Sequence, residues 1–201
     1  MVTAGQAWAA PDGPVVFVDT EFTTLDERHR RPWEIAVIRD TGRRTTEHVW
    51  IIEDLDLTNA APEALAVGGF GDRYPAPPAD GAERATEAEV AAAVAELTQD
   101  ARWVGVVPDA DAGTITAMLR RHGLTPGWHY QLIDAAVYAA GALGVVPPSS
   151  SWEVSTKLGI TAEGRNLHHA LEDARWARDL FFAALNAHHS PGPVRRSVNP
   201  R

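Results

Sequence analysis

The chain has 201 residues, 45% of them hydrophobic, enough for one domain with a single sizeable core. It contains no cysteine, which excludes disulfides, thiolate zinc sites and cysteine nucleophiles, and its net charge of −9 argues against a basic surface that grips long phosphate tracts. No apolar run approaches the roughly 18 residues of a membrane span, and the Ala-rich start lacks the basic and apolar regions of a signal peptide, so a cytoplasmic protein is expected.

Residues 14–20 (PVVFVDT) are mostly apolar and β-rich, and predict a buried central strand. Strands are also predicted at 33–39 and 46–53, with Gly42 and Arg43 at the hairpin between them. Residues 54–85 read as a loop around a short helix at 62–67, with Pro62 in its first turn. Thr86 and Glu89 form a capping box that opens a helix over 86–98. A strand at 102–107, a helix at about 112–122, a strand at 128–133 and helices at 134–143 and 152–158 follow. The last helix is expected over about 169–187. Residues 1–13 and 189–201 read as tails, the second one disordered, around a domain at 14–188. Three strands followed by alternating strands and helices predict an α/β domain with a mixed sheet.

Three elements carry acids. Asp19 and Glu21 stand two apart on the first strand, so both carboxylates project from one face at its end. Two acids this close repel unless a cation lies between them, and oxygen ligands suit Mg²⁺ or Mn²⁺. An isolated pair of this kind is more often a solvated strand end. On the last helix Asp173 shares a side with Ala170, Ala177 and Leu180, where an unpaired acid is costly; a salt bridge to Arg102 or Arg175 would be the plain alternative. His168 stands five residues before Asp173, and the two converge only if His168 lies on the loop entering the helix. His169 is its neighbour and rival. Asp111 precedes the apolar stripe Ile115, Met118 and Leu119 and could equally be a helix cap, with Asp109 as a competitor for either role.

In combination and order these elements resemble the DEDDh 3′→5′ exonucleases of the ribonuclease H-like superfold, the group of epsilon-type proofreading exonucleases, ribonuclease T and oligoribonuclease. The matching text is VFVDTEFTTLD (16–26), WEIAVI (33–38), the helix at Asp111, LIDAAVYAAG (132–141) and HHALEDA (168–174). Departures are Thr24 in place of the usual Gly, and VVPDAD, where Val and Ala replace the Asn and the aromatic that commonly precede the second acid. The resemblance implies a ribonuclease H-like sheet, an antiparallel three-stranded meander extended by parallel strands and flanked by helices. It implies Asp19, Glu21, Asp111 and Asp173 as ligands of two divalent cations, Mg²⁺ or Mn²⁺, and His168 as the general base. It also implies Phe22, Thr23, Thr24 and Leu25 as the lining for a terminal nucleotide, with Leu25 against the base. Asp134 matches a recurring position and reads as structural. The substrate implied is the 3′ end of single-stranded DNA or RNA, with a slight preference for DNA. A catalytically weak module docking on a polymerase or nucleoprotein is the alternative, and neither a polymerase nor a second copy of the chain is specified as partner.

Overall fold

The computed structural model describes residues 13–79, 81–161, 165 and 167–189; most of both expected tails lies outside these residues. The apolar run near the start forms β1, Val15–Phe22, at the centre of a six-stranded sheet. β2 (Pro32–Asp40) and β3 (Thr45–Ile52) complete the expected antiparallel meander, turning at Gly42, whose φ is 74°. Helices α1 (Pro62–Val67) and α2 (Phe70–Arg73) and a short edge strand, β4 (Glu83–Ala85), follow. β4 pairs parallel with β3. Two of these elements, α2 and β4, replace part of the loop expected at 54–85. They are too short to show a period and owe their form to what they pair with.

Next come α3 (Glu87–Thr98), β5 (Arg102–Gly105), α4 (Pro108–Arg121), β6 (Ile133–Asp134) and α5 (Ala135–Ala142). Helices α6 (Ser151–Lys157) and α7 (Ala170–His189) end the domain. The capping box on α3 is present as read, with Thr86 and Glu89 each accepting from the other's backbone N–H. Helix α4 begins four residues earlier than expected, because Pro108 at its first position has no N–H to leave unsatisfied. The strand expected at 128–133 shrinks to Ile133–Asp134. Trp128 instead packs on Trp103, ring centroids 4.6 Å apart, and the His129 N–H donates to the Ala101 carbonyl. Asp134 caps α5 by accepting from the Ala136 and Val137 N–H groups, a structural role.

The strand order is β4-β3-β2-β1-β5-β6, antiparallel across β1, β2 and β3 and parallel elsewhere. This is the mixed ribonuclease H-like sheet. Its two faces carry separate cores. Val15, Phe17, Ala36 and Ile38 pack against α5 and α7, whereas Val16, Val18, Ile35 and Val37 pack against α3 and α4. Alternation along β1 therefore sends Asp19 and Glu21 toward the α7 layer and Thr20 toward the α4 layer. The far end of β1 lies between the two helical layers, and acids can reach it from both.

Candidate active site

Asp173, one turn into α7, reaches the face that carries Glu21. A carboxylate oxygen of each and a ring nitrogen of His168 lie within 4.8 Å of one another. His168 lies in the turn ahead of α7, as convergence requires. Its φ of 60° is left-handed, and its backbone N–H donates to Asp173 Oδ2 at 2.9 Å. Arg175, one of the two arginines expected as a plain partner, pairs instead with Glu47 and Glu172. Among the described residues, no lysine or arginine forms a salt bridge with Asp19, Glu21, Asp111 or Asp173.

Asp111 arrives from the other layer. It is buried in the first turn of α4, and its Oδ1 accepts from both the N–H (2.9 Å) and the hydroxyl (2.7 Å) of Thr20. Thr20 stands between Asp19 and Glu21, so α4 is pinned to β1 inside the acidic pair. Asp109 lies in the same turn but is exposed. The entry to α4 is strained. Val107 has φ 56° and ψ 54°, an outlying conformation for a β-branched residue. Asn, which the resembling family shows at this position, adopts that conformation more readily. The Val107 side chain is 65% exposed and lines the cleft.

The cleft above the acids is lined by Phe22, Leu25, Glu63, Ala64, Val67 and Val107, with His168 at its margin. Leu25 is 73% exposed, an apolar surface open to a ligand. Thr23 and Thr24, expected beside it, do not line the cleft. Both are buried and hold the loop, with Thr23 Oγ1 accepting from the Arg31 N–H and Thr24 Oγ1 from the Asp26 N–H. The arginines after β1 are also partly committed. Arg30 donates to the carbonyls of Thr24 and Leu25 and lies over the Phe22 ring, while Arg31 pairs with Asp56.

Burial acts on all four acids, and neighbouring negative charge adds to it at Asp19, Glu21 and Asp173. Burial, then the neighbouring charges of Asp111, Asp173, Glu21 and Glu34, holds the Asp19 carboxyl well above the usual range. Burial, then Glu34 and Asp173, pushes Glu21 up to about 8. Burial raises Asp111 to about 7 against the opposing hydrogen bonds from Thr20, and it raises Asp173 against the His168 N–H. A hard divalent ion is the partner such an oxygen set lacks, so the donor chemistry fits Mg²⁺ or Mn²⁺.

A stability prediction follows from these directions. Acids whose folded pKa is raised keep protons that the unfolded chain has lost, so they destabilise the fold as pH rises from about 4 toward about 8. The acids with lowered values, such as Glu47 and Glu87, are ionised in both states once pH is well above their ordinary 4.5, so over most of this interval they do not oppose the trend. In EDTA, the melting temperature should fall between pH 5 and pH 8 by on the order of 5–10 °C, and Mn²⁺ at pH 8 should restore it. A melting temperature that rises over this interval in EDTA would contradict the account.

Sequence reading missed Glu34 and Arg73. Glu34 is the register partner of Glu21 on β2 and is buried, and it pairs with Arg73. The inward Glu in WEIAVI was a visible signal, since a charge inside an apolar strand needs a partner. Gly68 gave no such signal. A Cβ there would lie 2.7 Å from Glu21 Oε2 and 2.9 Å from the buried Trp33 ring, so a larger residue would have to displace one of them.

The exonuclease family model matches residues 16–181. No curated protein matches the chain. Among solved structures, the zinc-bound form of an E. coli exonuclease I complex with single-stranded DNA is similar with a TM-score of 0.67 and 21% identity, over 90% of this chain and 42% of that one. A second structure of exonuclease I gives a TM-score of 0.64 and 21% identity, over 89% and 42%. E. coli exonuclease I with a dT13 oligonucleotide gives 0.60 and 22%, over 86% and 40%. The chain spans about two fifths of the length of these proteins, and what it shares with them at this identity is the fold.

Proposed function

This chain belongs to the DEDD-type exonuclease family, and on that premise we propose that it is a metal-dependent 3′→5′ exonuclease of the DEDDh kind. In this reading it removes 5′-mononucleotides from the 3′ end of single-stranded nucleic acid, DNA in preference to RNA. The observation that carries it is the meeting of Glu21, Asp173 and His168 within 4.8 Å, with Asp19 and Asp111 beside them at the end of β1. The preference for DNA draws support from the fold shared with exonuclease I, whose complexes contain single-stranded DNA.

Asp19, Glu21, Asp111 and Asp173 would hold two divalent cations, which when bound stabilise charge on the scissile phosphate and make water a stronger acid. The remaining work falls to the chain. The His168 imidazole accepts a proton from the attacking water. The new bond forms between the water oxygen and phosphorus, and the bond from phosphorus to the 3′ oxygen of the penultimate nucleotide breaks. That oxygen leaves with a proton, giving a strand shorter by one and a 5′-mononucleotide. Phe22 and Leu25 offer apolar contact to the terminal nucleoside. The cleft wall they share with Ala64, Val67 and Val107 is apolar, with Glu63 the one acid on that side among the described residues, so contact there is mainly through stacking and apolar surface.

The test uses 5′- and 3′-labelled single-stranded DNA and RNA with Mg²⁺ or Mn²⁺. A 3′-labelled strand should release labelled 5′-mononucleotide at once, a 3′-phosphate should block digestion, and a closed circle should persist. Release of 3′-mononucleotides, or cutting of the circle, would overturn the polarity.

A further inference from the structure

The left-handed turn at His168 is held from outside the acidic cluster. Its carbonyl accepts from Arg73 Nη1 at 2.9 Å. Arg73 Nη2 pairs with Glu34 Oε1, and Glu34 Oε2 accepts from the Ala170 N–H at 3.0 Å. These contacts close a ring around His169: the backbone on either side of it, the His168 carbonyl and the Ala170 amide, is gripped by one part-buried ion pair. The ring is itself anchored. Arg73 also donates to the Gly68 carbonyl at 2.8 Å and lies over the Trp33 ring, 5.0 Å from its centroid. Glu34 is fixed in register opposite Glu21 on the sheet.

A histidine in a left-handed turn at the head of a helix has other conformations open to it, most of which carry the imidazole away from Glu21 and Asp173. The Asp173 contact restrains only the amide of His168. Arg73 and Glu34 restrain the other end of the same residue and the first amide of α7.

We propose that Arg73 and Glu34 are positioning residues that clamp the turn at His168 and so aim its imidazole into the acidic cluster. The proposal rests on His168 acting as the base. Neither residue touches the attacking water or the scissile bond in this scheme; their charges act in opposite directions on Glu21, whereas their hydrogen bonds act together on the turn at His168. The fork of Arg73 is needed because one group must reach the His168 carbonyl and Glu34 together, which a lysine ammonium does less well.

The test is a double-mutant cycle on the full chain with Mn²⁺ and a 5′-labelled dT oligonucleotide. Arg73→Ala should lower kcat by roughly 10–10²-fold, the scale of a slightly misplaced catalytic group, with KM little changed at saturating Mn²⁺. Arg73→Lys should recover part of the loss, and Glu34→Gln should resemble Arg73→Ala. In a His168→Ala background, Arg73→Ala should cost nothing further, because there is no imidazole left to aim. If His168→Ala is slow and the two losses multiply, the clamp is wrong and His168 remains the base. If His168→Ala keeps the full rate, the base assignment fails and the clamp falls with it. Should Arg73→Ala melt below the assay temperature, Glu34→Gln and Arg73→Lys carry the same cycle with His168→Ala.

Discussion

Asp19→Asn and Asp173→Asn should each lower turnover by on the order of 10³-fold or more, the loss expected when a charged ligand worth several kcal/mol of transition-state stabilisation is removed. Both substitutions preserve size, and both relieve repulsion inside the cluster, so the folded variants should be at least as stable as the parent at pH 8 without divalent ions. Loss of activity with retained or raised stability is the signature that separates a ligand from a structural acid. Asp111→Asn belongs with them. An Asn carbonyl can still accept from the Thr20 amide and hydroxyl, so α4 stays pinned while the charge is lost. Asp109→Asn is the control, because its side chain points to solvent. EDTA should silence the parent, and Mg²⁺ or Mn²⁺ should restore it. Steady-state rates on single-stranded DNA with metal titration provide the measurement. Full hydrolysis in metal-free buffer, or an inactive Asp109→Asn beside an active Asp111→Asn, would remove these assignments.

The second large effect is expected at His168. His168→Ala should reduce kcat by roughly 10²–10⁴-fold, the usual contribution of a positioned base. Metal affinity should change little, since the four acids remain. His169→Ala should be mild. His169 lies inside the clamped turn but borders a different groove, beside Asp72 and Leu171, rather than the acidic cleft. A paired kinetic comparison with Mn²⁺ binding measured calorimetrically distinguishes the two. The reverse ranking would transfer the role to His169. A drop in metal affinity equal to the drop in rate would make His168 a ligand instead.

Much of the architecture was legible because it is local. The buried character of β1, the hairpin at Gly42, the Thr86–Glu89 box and the long stripe of α7 each depend on residues within a turn or a strand of one another, where periodicity and capping act. The same alternation that defines β1 puts Asp19 and Glu21 on one face before any fold is known. The order of the acids along the chain then identified the family.

Contacts between distant segments decided the rest. Trp128 found Trp103 and drew the expected strand at 128–133 away from the sheet, an outcome of packing that no local pattern encodes. Thr23 and Thr24 look like open loop residues beside Leu25, yet they turn inward to satisfy backbone amides and leave Phe22 and Leu25 to face the cleft. Asp111 and Asp109 are both first-turn acids of one helix. The helix face that meets Thr20 separates them, and only the docking of α4 on the sheet fixes that face. Glu34 is 136 residues from the amide that it caps and 39 from the arginine that it pairs with. The sequence by itself determined which strand or helix carries each acid and in what order, because those facts follow from spacing, and the resemblance they carry is what implied a metal-binding nuclease site. Only the tertiary structure decided that the acids come from two helical layers around one strand end, and that the buried Glu34 and the half-buried Arg73 pair beside the turn, because burial makes a charge seek its partner wherever the folded chain brings one within reach.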